Sequence, residues 1–490
     1  MQMAKRLPMD TFPPVKDSET LLPLAIAAGG GSVDGIPARA LVAAGFTLLQ
    51  RSAALVRALG GKRSALLMPS CPAFVTALAA SDGRGAVLIN PLAAPTEIAE
   101  QIADAGVGAV FTVRALAGRL PPGLTHVILD DAPRTADLVI DGTPRTIDLG
   151  SHVGLTVEVE SDAGGRDEEC AVVFTSGMEG RALGARLSHR SLMANARQTI
   201  EAAAFSRQTH VLALLPFSHL FGLTGTLTGP LMAGGTVSTV ARFNPIVAAE
   251  RLAAGDITFV SGVPAIFAGL LSVIDRRGGT LPLPDSLLCI CGGAPLAEEL
   301  QDRWFAATGQ ELRQGYGLTE CAPVALFNRV GLPNRRGTLG VAMPDCEVTI
   351  RDTVTSAELP LGDTGEICVR GVSVFSGYLN DSRAGLQVRD GWLHTGDRGV
   401  LNADGTVRFL GLIKHMFTRS GFNVYPREVE RVVGAMPSVT SVHASAVPEP
   451  SRENDVAVDI TGTVTEAEVK SWCEARLSAY KQPTVIRIHR

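Results

Sequence analysis

Nowhere in the 490-residue chain do about eighteen apolar residues run together, so the sequence offers no membrane-spanning helix. The opening residues, MQMAKRLPMDTFPP, lack the apolar core of a signal peptide, which predicts a protein that is not exported. Basic runs and interleaved basic and aromatic stripes are missing as well. With 44 Lys and Arg against 49 Asp and Glu, a net charge of −5, the chain shows nucleic acid no electrostatic footprint. The eight cysteines (71, 170, 289, 291, 321, 346, 368, 473) are scattered. The one close pair, Cys289 and Cys291, shares a strand face instead of forming a metal knuckle, so a reduced, cytoplasmic protein is expected. There is no internal repeat, and the only low-complexity stretch is the glycine run at 29–31. What the chain does have is length: 490 residues exceed one simple core and predict two or more domains with room for a deep site.

From about residue 40 to 130, Ala/Leu-rich helical patterns alternate with short apolar runs: SALLM at 64–68, AVLIN at 86–90, GAVFT at 108–112 and HVILD at 126–130. That rhythm predicts a parallel α/β sheet. It resumes at AVVF (171–174), VLALLPF (211–217), ITFVSGVP (257–264) and LLCICGGAP (287–295), which predicts a second α/β layer. Between 337 and 410 the texture shifts to short alternating strands separated by Gly and Asp turns, as in a small β-barrel-like subdomain. After Gly411, about 80 residues mix a short amphipathic helix (428–434), a strand pair and a second helix (466–480), a compact α+β lid joined near Lys414. The expected division is an N-terminal domain, 1–413, and a mobile C-terminal domain, 414–490.

Residues 175–189, Thr-Ser-Gly-Met-Glu-Gly-Arg-Ala-Leu-Gly-Ala-Arg-Leu-Ser-His, have the frame of a phosphate-binding loop. A strand-like run leads in, and Gly177, Gly180 and Gly184 supply bare backbone whose amides can turn toward an anion. The gripping residues are absent: Glu179, Met178 and Leu183 stand where hydroxyls and a lysine are wanted.

Seven motifs follow one another in fixed order: FTSGMEGRALGARLSH (174–189), LPFSHLFGL (215–223), CGGAPL (291–296), QGYGLTE (314–320), GEICVRG with GYL (365–379), WLHTGD (392–397) and GLIKHMFTRSGFNVYPREVE (411–430). Together they resemble the AMP-forming adenylate superfamily of acyl-CoA synthetases, luciferases and peptide-synthetase adenylation domains, with SGFNVYPREVE pointing to the acyl-CoA ligase branch. The resemblance spans most of the chain. It implies that Tyr316, flanked by Gly315 and Gly317, stacks on adenine, with Gly292, Gly293, Ala294 and Pro295 on the other side. Thr319 is implied to bond the adenylate phosphate, Asp397 the ribose hydroxyls, and Glu320 to resemble the magnesium-holding carboxylate. His219 resembles the residue beside the acyl carboxylate, in an apolar acyl pocket with Phe217, Phe221, Gly222, Val263 and Gly293. Lys414 falls at the hinge, and Gly421 matches the glycine that lines the pantetheine tunnel of coenzyme A.

The family loop reads T-S-G-[ST]-[TS]-G-x-P-K-G. Against Thr175, Ser176, Gly177 and Gly180, which fit, Met178, Glu179, Ala182 and Leu183 remove two hydroxyls, a proline and a lysine, and add a negative charge. A charge pair at ~4 Å is worth about 1–4 kcal/mol in wet or half-buried surroundings, so productive ATP binding is expected to suffer. Leu412 stands where the family often has an arginine. The sequence given ends at Arg490, before a P-x-T-x-x-G-K motif whose lysine clamps the adenylate; Lys481 belongs to the preceding motif and reads as structural. The resemblance with these departures implies a ligase that takes an acyl-adenylate from a separate adenylating enzyme and joins its acyl group to coenzyme A, releasing AMP. Whether magnesium is still required, and whether the chain forms a homodimer, stay open. So do three rivals: a complete two-step ligase using Arg181 or Arg186, an amide-forming or carrier-protein ligase, and a catalytically dead adenylate-binding member.

Overall fold

The computed structural model describes residues 21–81, 85–130, 133–150, 169–175, 182–379, 387–413, 416–449 and 451–489. The first apolar runs build an eight-stranded sheet. Its centre is parallel, in the order Glu169–Thr175, Ala86–Ile89, Arg63–Leu67, Val107–Thr112, His126–Leu129, with antiparallel strands closing both edges. All four residues of Ala86–Ile89 are buried, because helices cover both faces of a parallel sheet and leave no place for polar alternation. Of the second series, AVVF (171–174) joins this first sheet beside Ala86–Ile89, contrary to expectation, and the remaining runs form a nine-stranded sheet whose parallel core runs Leu312–Gly317, Leu288–Cys291, Phe259–Gly262, His210–Ala213, Thr236–Thr239.

Helices Leu22–Gly29, Ala38–Arg51, Ala73–Ala80 and His189–Ala202 contribute to one hydrophobic core that reaches both sheets. Ser188 opens the last of these by accepting the Ser191 amide at 3.1 Å, satisfying one of the free donors at a helix start. Pro245–Ala253, Pro264–Arg276 and Glu298–Thr308 pack around a second core. The texture change after 337 becomes a five-stranded sheet in which Cys346–Arg351, Thr364–Gly371, Trp392–Leu401 and Val407–Leu412 pair antiparallel.

Residues 416–489 carry a separate core of Phe417, Val424, Val429, Val433, Ile460, Val469 and Leu477. The expected strand pair is three strands, since Val485–His489 adds parallel to Glu453–Gly462, which already pairs with Val439–Glu449. Two elements are shorter than the sequence suggests. The run at 211–217 is a strand only as His210–Ala213, because Pro216 has no amide to give a neighbouring strand. The helix expected over 466–480 ends at Glu474, and the chain turns so that Leu477 enters the lid core while Ser478 and Lys481 face the large domain. Lys414, at the expected hinge, lies outside the described residues.

Candidate active site

Parallel strands leave a crevice beyond their carboxyl ends, and the motif residues gather there. Gly292–Pro295 follow strand Leu288–Cys291, Ser218–Phe221 follow His210–Ala213, and Tyr316 closes Leu312–Gly317. They border a cavity of about 460 Å³ that also takes in Thr319, Glu320, Asp397 and the lid residues Gly421 and Phe422. Its described wall includes Thr175 and, at the far side of the loop, Ala182. Ser176, Gly177, Met178, Glu179 and Gly180 lie outside the described residues. Thr175 pairs with Leu183 across a hairpin and donates to its carbonyl at 3.3 Å. Leu183 is half-buried against the core, whereas Leu412 reaches the cavity.

Tyr316 and Asp397 come from sheets far apart in sequence, yet the Tyr316 hydroxyl donates to Asp397 Oδ2 at 2.6 Å. Burial and the neighbouring carboxylate push the Tyr316 pKa well above its usual range, so the hydroxyl stays a donor. The loop bearing Asp397 is pinned from behind: Gly396 N–H donates to Glu366 Oε1 at 2.7 Å, and Glu366 Oε2 lies 2.8 Å from His394 Nδ1. Glu366, Cys368 and His394 cluster closely enough to hold a metal, but both carboxylate oxygens are already engaged and burial pushes the Cys368 thiol up to about 12. Their observed work is to orient the Asp397 loop.

Glu320 faces the cavity and accepts the Tyr378 hydroxyl at 2.5 Å. A single carboxylate next to a nucleotide-sized space fits magnesium, which keeps several waters and takes one or two carboxylates plus phosphate oxygens. His219 Nδ1 accepts the Phe221 amide at 3.2 Å, which leaves the proton on Nε2. Burial depresses its pKa to about 4, so the ring is a neutral donor. An unfolded histidine binds its proton near pH 6.5. Stability contributed by this buried neutral ring is therefore full above that pH and is lost as pH falls toward 4. We expect the thermal midpoint to decline across that window, and less steeply in His219→Gln; parallel declines would remove His219 as the source.

Three expected acyl-pocket residues, Phe217, Gly222 and Val263, do not line the cavity, and Val263 packs against Gly421 instead. Phe217 is buried edge-on against Phe74 at 5.5 Å, and Gly222 is pressed on the backbone, where a Cβ would lie 2.2 Å from the Pro216 carbonyl oxygen. The consecutive residues Ser218, His219, Leu220 and Phe221 line the cavity instead. The apolar end is built from residues no motif marks: Ala203, Gly225, Phe259, Ile290 and Phe327. Ser218 Oγ is buried without a hydrogen-bond partner among the described residues, a donor left for a bound carbonyl. Cys291, beside Gly292, has its thiol pKa raised well above normal by burial, which argues against a covalent thiol intermediate.

Gly421 sits at φ +76°, and a Cβ there would lie 2.3 Å from Val263 Cγ1. Its carbonyl oxygen faces Gly293, and Glu453 Oε2 accepts its amide at 3.0 Å. Glu97, Ser478, Tyr480 and Lys481 also line the cavity, and sequence reasoning missed them or read them as structural.

A two-sheet α/β body with a small lid, and a cavity between them lined by a tyrosine–aspartate pair and glycine turns, define a nucleotide-using ligase architecture. The chain belongs to the AMP-binding enzyme family, whose sequence model matches residues 47–379. A long-chain-fatty-acid–CoA ligase of Escherichia coli O6:H1 is 30% identical over 462 residues, covering 87% of this chain and 82% of the relative. Among solved structures, a malonyl-CoA ligase in a ternary product complex with methylmalonyl-CoA and AMP matches with TM-score 0.78 and 25% identity, over 98% of this chain and 99% of that one. ATP-bound MatB of Rhodopseudomonas palustris matches with TM-score 0.66 and 26% identity, over 96% and 95%. Acyl-CoA ligase chemistry of the AMP-forming type is therefore the coarse activity of this chain. Among the described residues no helix is long and apolar enough to cross a membrane.

Proposed function

We propose that this chain joins the acyl group of an acyl-adenylate to coenzyme A, and that the preceding ATP-dependent step is lost or very weak. The observation that carries the reading is the seat of Gly421 against Val263 and Gly293, which brings the lid's glycine turn to the wall of the acyl and nucleotide cavity. Support for the lost step comes from Leu183 and Leu412, apolar at positions where the family has cations, and from Ala182 in the cavity wall.

In the proposed step, Tyr316 and the Gly292–Pro295 turn hold adenine, Asp397 the ribose and Thr319 the phosphate. The thiol sulfur attacks the acyl carbonyl carbon and the carbon–oxygen bond to phosphate breaks. AMP leaves as an anion, and the thiol proton passes to solvent. His219 Nε2–H, with Ser218, donates to the carbonyl oxygen as negative charge builds there. An acyl-adenylate is already activated, so holding carbonyl and thiol in line supplies most of the remaining acceleration. The lid, 414–490, has Lys414 at its hinge position, and attack of the thiol on the acyl carbonyl involves no bond to magnesium. A separate adenylating enzyme supplies the adenylate, a division of labour that resembles the non-adenylating ligase of platensimycin and platencin biosynthesis.

A second reading, a complete AMP-forming ligase, is favoured by the relatives. The Escherichia coli protein is named for joining a free acid to CoA, and Glu320 retains a geometry suited to magnesium. In that reading no partner enzyme is needed. Incubation with acid, ATP and magnesium separates the two: the first reading expects no pyrophosphate exchange but brisk thioester formation from synthetic acyl-AMP and CoA. Robust exchange would establish the second. Met178→Thr, Glu179→Thr and Leu183→Lys together are expected to raise exchange by about tenfold or more, since a single well-placed donor carries on the order of 10²-fold.

A further inference from the structure

A buried ionic cluster ties the lid to the large domain, joining Glu428 and Lys481, which fall in motifs of the lid, to Glu97, which falls in none. Lys481 Nζ donates to Glu97 Oε1 at 2.7 Å and to Glu428 Oε1 at 2.7 Å. Glu97 lies on helix Pro95–Asp104 of the large domain, whereas Lys481 and Glu428 belong to the lid. All three are more than nine-tenths withdrawn from solvent. Glu97 Oε2 accepts from Ala94 N–H at 2.7 Å and from the Ser478 hydroxyl, and Thr96 Oγ1 donates to the Ala475 carbonyl at 3.1 Å beside them.

The three charges have separable roles. Lys481 and Glu428 already form a balanced pair inside the lid, so the lid's own fold does not need Glu97. Burial alone would lower the Lys481 pKa, but the groups of Tyr480, Glu428 and Glu97 outweigh it and keep the ammonium charged. The cation is also connected to the reaction centre. Tyr480, its chain neighbour, stacks on Phe422 with ring centroids 4.5 Å apart, and Phe422 follows Gly421, the residue seated on Val263. A pull of Lys481 toward Glu97 is thereby transmitted through two stacked rings to the Gly421 turn.

We propose that Glu97 and Lys481 are positioning residues for the thioester step, their buried ion pair clasping the lid in the orientation that sets Gly421 against Val263. The proposal rests on the reading that this orientation is the one in which thioester forms. Two carboxylates share one cation, so the clasp holds without being permanent. Its release costs the exposure of a charge that the lid can still neutralise through Glu428, which suits a contact made and broken in each turnover.

The test is Glu97→Gln, which keeps the side-chain shape and an acceptor for Ala94 N–H but removes the charge that draws Lys481 across the interface. With synthetic acyl-AMP and CoA, kcat is expected to fall about a hundredfold, the scale of losing one partner of a buried pair. Affinity for a non-hydrolysable acyl-sulfamate analogue of the adenylate is expected to fall far less than kcat, since most of the groups that hold it lie on the large domain. Hydrogen exchange at the 421–425 amides speeds up, and Lys481→Arg, which keeps the cation, loses less activity than Lys481→Met. Unchanged kcat or unchanged exchange in Glu97→Gln overturns the clasp. A native enzyme that makes no thioester while Glu97→Gln still loosens the 421–425 amides supports the clasp and sinks the functional reading on which its role rests.

Discussion

Gly421→Leu is expected to abolish thioester formation from acyl-AMP and CoA while leaving the adenylate bound. Two separate effects act at this position. The backbone is at φ +76°, a region costly for a side chain, and the first side-chain carbon would stand 2.3 Å from Val263 Cγ1. Neither can relax without lifting the lid turn off the large domain. Displacement of a reacting group by about 1 Å costs on the order of 10²-fold, so a leucine that displaces the turn and fills the approach of the thiol should cost at least that in kcat. The measurement is single-turnover thioester formation, paired with titration of the acyl-sulfamate analogue. Retained turnover would remove Gly421 from the thiol path, and lost analogue binding would mean that the substitution damages the large domain instead.

Asp397→Ala carries the second large effect, on nucleotide binding. The carboxylate accepts the Tyr316 hydroxyl and is proposed to accept both ribose hydroxyls. Hydrogen bonds to charged groups contribute about 1.5–3 kcal/mol each, so losing two corresponds to roughly 10²- to 10⁴-fold weaker binding of AMP and of the adenylate. Calorimetric titration with AMP measures it. Tyr316→Phe separates the contributions, because it keeps the ring for adenine and removes only the 2.6 Å hydroxyl contact; it should cost about 1 kcal/mol, far less than Asp397→Ala. Equal losses in the two variants would show that Asp397 acts mainly by fixing Tyr316.

Legibility of the site followed the physics of local constraint. Glycine turns and the loops at strand ends were readable because backbone conformation fixes residue type over a few positions: Gly293, Tyr316, Asp397 and Gly421 all reach one cavity. The acyl pocket was readable only in outline. Phe217 and Phe221 look alike in sequence, yet Phe217 packs on Phe74 while Phe221 faces the cavity, a choice made by the chain's direction after Pro216. Lys481 looked like part of a structural motif because its partner, Glu97, lies 384 residues away.

The sequence by itself determined the parallel sheets, the β subdomain and the lid as separate textures, since burial on one or both faces is written into the periodicity of each segment. It also places Met178, Glu179 and Leu183 where the loop of the resembled family has two hydroxyls and a lysine. Tertiary structure alone decided which end of the strands faces the lid, that Glu366 holds the Asp397 loop from behind, and that Glu97 meets Lys481 across the cleft. A hydrogen bond or ion pair forms when two groups lie within about 3 Å in space, a distance that the packing of whole layers sets and that no local pattern records.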